Sequence, residues 1–254
     1  MGKGSNWLAE PPQELDPVDL WLARARVARG AGDANAWRNA IEHAFFSAGL
    51  AASRNAFFSI CDEAKRMGDD ARAGRAAMRG IRHPAAVIPP SAYFDPILAH
   101  LWRKSRMNEF SEMVTILRRR EPVEPHLINN EIYLGTLRLR VGEDVETSGS
   151  WIAIAAGKAE ALVKRYPVRP EFRSTAALAL LTAGRTQDAL LLVGEIDETE
   201  WLEAPAASQA IVGLVLDEAG EAGLAQAWRD RCDPAELNEW ERIAFLSAAE
   251  RDER

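Results

Sequence analysis

The stretch PEFRSTAALALLTAGRTQDALLLV, residues 170–193, returns in a similar layout at residues 205–229. The prolines that open the two stretches are 35 residues apart, and Gly220 follows Gly184 by 36 residues. A period of about 35 residues in a helical sequence is typical of stacked helical pairs, each too small to bury its own apolar face. The repeat therefore predicts an α-solenoid.

Composition places the chain among ordinary soluble proteins. It has 254 residues, of which 47% are hydrophobic and 27% charged, enough to bury a sizeable core. Its apolar runs are far shorter than the roughly 18 to 20 residues that span a bilayer, so we expect no membrane span. We expect a cytoplasmic protein. The alternative is the soluble regulatory part of a membrane-anchored or multidomain protein.

The two cysteines, Cys61 and Cys232, are 171 residues apart and form neither a CxxC motif nor a metal-ligand pattern. We expect both to be buried thiols. The sequence also lacks the HExxH and GxSxG motifs, and its histidines have no ligand spacing. We therefore expect a protein that is not an enzyme and that binds neither a metal nor a cofactor.

Charge is distributed unevenly along the chain. Residues 1–127 carry a net charge of +3 and residues 128–254 a net charge of −10, with the basic excess concentrated in residues 65–120. In that region one helix is expected to present a basic stripe, formed by Arg72, Arg75, Arg79 and Arg82. We interpret the stripe as a solvated face. An RNA-binding helical repeat protein is the alternative, although the pI of about 5.3 argues against nucleic acid.

The pattern of helix and turn signals divides the chain into four segments, which could also form one continuous array. No stretch alternates with period two, so the chain is predicted to be all-α, with about 12 or 13 helices. The four segments are a flexible N-terminal segment (1–15), irregular helical hairpins (16–82), a proline-bounded connecting helical region (83–125) and regular repeats (126–250).

From Asn129 onward the chain resembles the tetratricopeptide repeat family, whose unit pairs helices A and B and has small residues at its eighth and twentieth positions. With Gly142, Gly184 and Gly220 as turn glycines, three units fit, the first with an insertion in residues 143–150. The small residues are then Gly135, Ala177 and Gly213 at the eighth position, and Ala155, Ala189 and Ala225 at the twentieth. The resemblance implies a right-handed α-solenoid.

In tetratricopeptide arrays the A helices line a peptide groove. The resemblance places these residues in it: Asn129, Ile132, Thr136, Leu139, Glu171, Ser174, Leu178, Leu181, Ala207, Ala210, Leu214 and Asp217. The set is largely apolar and lacks the residues with which family members bind a C-terminal carboxylate. We therefore expect the partner to be a protein or peptide that supplies an apolar helix or an extended segment.

These observations favour a non-enzymatic scaffold or assembly module that binds a partner segment in the solenoid groove. An enzyme or regulatory module with its site in residues 83–125 is a further alternative, and it would need His100, Arg103, Glu109 and His126 around one pocket. Trp7 and Trp201 lie in less regular segments, and we expect them to be exposed anchors.

Overall fold

The computed structural model describes residues 16–50, 55–83, 86–143, 148–195 and 197–246. These residues form 14 α-helices, two short 3₁₀ turns and no strand, which confirms the all-α prediction. The helix count exceeds the expected 12 or 13. Two of the helices have only five and seven residues, too few to show a helical period in sequence.

The chain divides into two compact units, the first ending at Leu101 and the second beginning at Trp102. The first contains α1 (Pro17–Gly30), α2 (Ala34–Leu50), α3 (Ala56–Arg66), α4 (Asp70–Arg82) and most of α5 (Asp95–Arg103). Helices α1 and α2 pack as one pair, and α3 and α4 as another. The division falls within the region 83–125 that the prolines mark in the sequence.

Helix starts in the first unit follow local capping rules. The Asp16 carboxylate accepts a hydrogen bond from the Val18 N–H at 2.7 Å, and Asp69 accepts one from the Arg72 N–H at 2.9 Å. Helix α5 begins one residue before Pro96, because proline is tolerated in a first turn but not inside a helix.

The second unit contains nine helices in its described residues. They are α6 (Met107–Arg120), α7 (Pro125–Arg140), α8 (Ser148–Arg165), α9 (Pro170–Thr182), α10 (Thr186–Gly194), α11 (Glu198–Leu202), α12 (Ala206–Glu218), α13 (Ala222–Arg231) and α14 (Glu239–Phe245). Helices α7, α9 and α12, called here the first helices, pack with the second helices α8, α10 and α13 respectively. Helix α9 also contacts α7, α8 and α12, and every side chain in residues 172–181 is buried.

Glycine ends each of the three first helices. Gly142, Gly184 and Gly220 have φ angles of +79°, +77° and +88°. This left-handed conformation is one that glycine adopts without the steric penalty of a Cβ, and it reverses the chain into the next helix. The three glycines therefore stand at turns, as the sequence predicts.

Small residues lie where helices cross closely. A Cβ on Gly135 would lie 2.3 Å from the ring of Trp151, and one on Gly213 would lie 3.4 Å from the backbone oxygen of Ala225. The predicted alanines at the equivalent positions of the other helices are also buried: Ala155, Ala177, Ala189 and Ala225. The helices of two pairs, α7 with α8 and α12 with α13, thus approach closely at small residues that the resemblance singles out.

Polar side chains of α9 and α12 hydrogen-bond to the segments that precede these helices. The Arg173 guanidinium donates to the backbone oxygen of Pro167 at 2.8 Å, and the Gln209 amide donates to that of Ala204 at 2.9 Å. In both helices the side chain reaches back to the segment before its helix. These hydrogen bonds thus fix each connection to the helix that follows it.

Trp201 is buried rather than exposed. Only 2% of its surface is accessible, and its indole N–H donates to the backbone oxygen of Val193 at 3.0 Å. The expectation of an exposed anchor is wrong here, because the short helix α11 turns the side chain into the core. Trp7 lies outside the described residues.

Two expectations from composition concern cysteines and membrane spans. Cys61 and Cys232 are buried free thiols, as expected, and burial raises the pKa of both, that of Cys232 to about 11. Such thiols react slowly at neutral pH. In the described part of the chain, no helix combines the length and the apolar character needed to cross a bilayer.

Replacing Gly135 with alanine tests the close crossing of α7 and α8. The new methyl group would overlap the Trp151 ring, so we expect the free energy of unfolding to fall by about 1–3 kcal/mol. Gly157→Ala is the matched control, because the space around Gly157 in α8 is open and alanine favours helix by about 1 kcal/mol. Urea unfolding followed by circular dichroism measures both changes. Equal stabilities of the two variants would contradict the close crossing.

Candidate interaction surface

The structure buries seven of the twelve side chains that the resemblance assigns to a groove. At one of these positions a neighbouring first helix provides the contact: the Ser174 hydroxyl of α9 lies 3.0 Å from the Ser208 hydroxyl of α12. A ligand could contact such side chains only if the helices separated. The seven are Asn129, Ile132, Thr136, Ser174, Leu178, Leu181 and Ala210.

The other five groove positions remain accessible, and we call them the accessible positions. They are Leu139, Glu171, Ala207, Leu214 and Asp217. Asp217 is exposed and its carboxylate pairs with Arg229 of α13 at 2.6 Å, whereas the other four are half-buried. Any contact of the predicted groove with a partner in this conformation is limited to these side chains.

A short helix of the chain itself packs on the first helices. Helix α14 contacts α7 and α12, and we call the surface that it covers the first-helix surface. Leu237 and Phe245 are buried, and Trp240 is half-buried. A capping box begins the helix, in which the Asn238 and Glu241 side chains each accept a hydrogen bond from the other's backbone N–H. Asn238 with a glutamate three positions on was the sequence signal for this helix, which sequence reasoning missed.

Glu241 is the polar centre of the contact between α14 and the rest of the unit. Only 2% of its surface is accessible. One carboxylate oxygen accepts hydrogen bonds from the Tyr133 hydroxyl at 2.8 Å and the Trp102 indole N–H at 3.0 Å, and the other accepts from the Asn238 N–H at 2.9 Å. All three donors are neutral, so hydrogen bonds hold the carboxylate without an ion pair to any of them.

Burial shifts the pKa values of two groups in this cluster, Glu241 and Tyr133. It raises the pKa of Glu241 above its ordinary value of 4.5, although the hydrogen bonds from Asn238, Tyr133 and Trp102 act in the opposite direction. Burial, together with the charge of Glu241, also raises the pKa of Tyr133. The Tyr133 hydroxyl therefore keeps its proton and donates a hydrogen bond to Glu241. Burial of the Glu241 carboxylate in this cluster therefore costs free energy.

Beside Trp240 the packing leaves an open cavity of about 200 Å³. Its walls belong to α6, α7 and α14: Met107, Asn108, Ser111, Glu112, Leu134, Arg138 and Trp240. Helix α14 therefore does not fill the space available to it on this side.

The basic stripe of α4 is partly neutralised within its own unit. The Glu42 carboxylate of α2 lies 3.0 Å from Arg72 and 2.6 Å from Arg75. Burial would raise the pKa of Glu42, but the hydrogen bonds from Arg75 and Arg72 outweigh it and lower the pKa. Arg79 and Arg82 are exposed at the other end of the stripe. Two of the four guanidinium charges already have a carboxylate partner, which weakens the RNA-binding alternative.

The residues proposed for an enzyme site have separate partners. None of them lines the cavity beside Trp240. The described residues also include no group of three or more His, Cys, Asp or Glu side chains suited to a metal. Three of the four residues make the following contacts: His100 with Asp70, Glu109 with Arg106, and His126 with Phe172.

No protein-family model matches the sequence, and no curated protein is significantly similar to it.

Replacing Glu241 with glutamine tests its raised pKa. The carboxyl group binds a proton more tightly in the folded chain than in the unfolded one, so its contribution to stability is fully present below pH 4.5. That contribution is lost as the pH rises through the folded pKa. The quantity to follow is the difference in unfolding free energy between wild type and Glu241→Gln. We expect this difference to fall as the pH rises above 4.5.

Urea unfolding at a series of pH values measures this difference. Glu239→Gln is the matched control, because Glu239 lies in the same helix and is exposed. The control shows the effect of removing a carboxylate from the surface of the same helix. A constant difference for Glu241→Gln would contradict the raised pKa.

Proposed function

We propose that the second unit is a tetratricopeptide-like, right-handed α-solenoid that acts as a non-enzymatic protein-interaction scaffold or assembly module. Three features support the solenoid. Helix α9 contacts both other first helices, α7 and α12; each first helix packs with its own second helix; and a glycine with positive φ ends each first helix. Small residues at the crossings allow the close approach that such stacking needs.

The observation that carries the binding role is that α14 packs on α7 and α12. A helical segment is already accommodated by the first helices, through buried Leu237 and Phe245 and the hydrogen-bonded Glu241. Apolar anchors around a few placed polar groups are typical of surfaces that bind an amphipathic helix. This supports a helical segment, rather than a free carboxyl terminus, as the ligand.

The accessible positions indicate where a partner would meet the unit. Leu139 of α7 and Ala207 and Leu214 of α12 offer apolar contact, and Glu171 and Asp217 add two acidic side chains. A stiff, packed surface of this kind binds with little rearrangement of its backbone. The partner would therefore add its apolar side chains to a surface that already exists.

A pull-down with a charged variant of α12 tests this role. Ala207→Glu with Leu214→Glu places two carboxylates at accessible positions, and we expect partner recovery to fall at least about tenfold because a partner's apolar face would meet charges. Leu191→Glu with Leu224→Glu is the matched control, since both leucines are exposed on second helices. Circular dichroism verifies that both variants are folded. Equal recovery with both variants would contradict a role for the accessible positions.

A further inference from the structure

Helix α14 depends on contacts with the rest of the unit for its helical conformation. It has seven residues, whereas an isolated helix in water needs about 12 to 15 residues to be even marginally stable. Its buried side chains, Glu241 and Phe245, are four residues apart and so share one face of the helix. Leu237, which precedes the N-cap Asn238 in extended backbone, is also buried. Detached from the unit, the segment would lose both its apolar contacts and most of its helical structure.

Packing of α14 on the unit also buries polar groups, which costs free energy. The Glu241 carboxylate is buried against neutral donors, and the side-chain amide nitrogen of Asn238 is buried without a hydrogen-bond partner. Each of these features weakens the attachment of α14 relative to a segment with better complementarity.

The surface beneath α14 presents a specific set of groups. The Tyr133 hydroxyl and the Trp102 indole N–H converge on one oxygen of Glu241. The Trp102 ring is itself held between Phe110, 4.8 Å away, and Tyr133, 5.4 Å away, measured between ring centroids. Two fixed donors on an aromatic platform would select a ligand that offers a carboxylate between apolar side chains.

We propose that α14 is a resident ligand of the first-helix surface, and that a helix of a partner protein with the same side-chain pattern displaces it. The pattern, called here the α14 motif, is a leucine, a carboxylate four positions later and a phenylalanine four positions after that, with tryptophan directly before the carboxylate. In this chain it consists of Leu237, Trp240, Glu241 and Phe245. The inference rests on the proposed function, since it names the chemistry of the partner and the contact that regulates its access.

Exchange between α14 and a partner follows from competition. A segment joined to its site by a short flexible linker has an effective concentration of about 1 mM. A free helix binds weakly while α14 is docked, and its apparent affinity rises when α14 is detached. The contact thus blocks segments that match the motif poorly and yields to those that match it well.

The first experiment uses the free peptide ELNEWERIAFL, residues 236–246, labelled with fluorescein, as the probe. The receptor is the full chain with Trp240→Asp and Phe245→Asp, which detach α14. Fluorescence anisotropy should show at least about tenfold tighter binding to this variant than to wild type, because the tethered competitor is gone. Ile243→Asp, an exposed position of the same helix, should bind the peptide as weakly as wild type.

Two further variants test the carboxylate recognition. The peptide with Glu241→Lys, and the detached receptor with Tyr133→Phe, should each reduce binding by about tenfold or more, because each loses a hydrogen bond to a charged group. Failure of a folded detached variant to bind the peptide, or equal binding by wild type and the detached variant, would overturn the proposal. Circular dichroism establishes that the detached variant is folded.

Hydrogen exchange on the unaltered chain provides a test that does not depend on any variant. The backbone amides of α14 should exchange at least about a hundredfold faster than those of α9, because α14 opens without unfolding of the unit. Equal protection of the two helices would overturn the proposal.

The outcomes for this inference and for the proposed function are distinguishable. Peptide binding by the detached variant, with partner recovery unaffected by Ala207→Glu and Leu214→Glu, would support the resident ligand and contradict the role of the accessible positions. Loss of recovery with those substitutions, but no peptide binding by the folded detached variant, would support the proposed function and overturn the resident ligand.

Discussion

The second unit depends on the burial of α9 on all sides. Helices α7, α8, α10 and α12 surround it, and side chains from Phe172 to Leu181 are withdrawn from water. A helix can be enclosed in this way only if its neighbours approach closely, which the alanines at positions 176, 177 and 179 permit. The burial of these side chains supplies the main driving force for assembling the helical pairs.

The same enclosure determines which surfaces can bind a partner. Ser174 of α9 contacts the neighbouring first helix and Leu178 is fully buried, so both contribute to stability and not to contact with a ligand in this conformation. What remains is the set of accessible positions and the surface under α14. Because Glu241 is buried there among neutral donors, that surface combines apolar attraction with a polar requirement, which favours selectivity over affinity.

In the first unit, some basic side chains form ion pairs that join helices. Glu63 of α3 is fully buried, and Arg29 of α1 donates to its carboxylate at 2.7 Å, with Arg66 3.6 Å away. Only the carboxylate is buried, since Arg29 and Arg66 are partly exposed, so the contribution of these pairs lies between the about 3–5 kcal/mol lost on breaking a fully buried pair and the about 1 kcal/mol or less of an exposed one. Part of the basic excess of the first half of the chain is thus committed to holding helices together, which reduces the charge available for an anionic partner.

The sequence by itself determined the local features: the helical class, the glycine turns and the small residues at crossings such as Gly135 and Gly213. These depend on backbone dihedral preferences and side-chain size, which are properties of residues near each other in the chain. Only the tertiary structure decided that most of the predicted groove is buried and that α14 covers part of the first helices. The Glu241 contacts join residues 108 and 139 positions apart, and nothing in a local pattern specifies which distant face a short helix will cover.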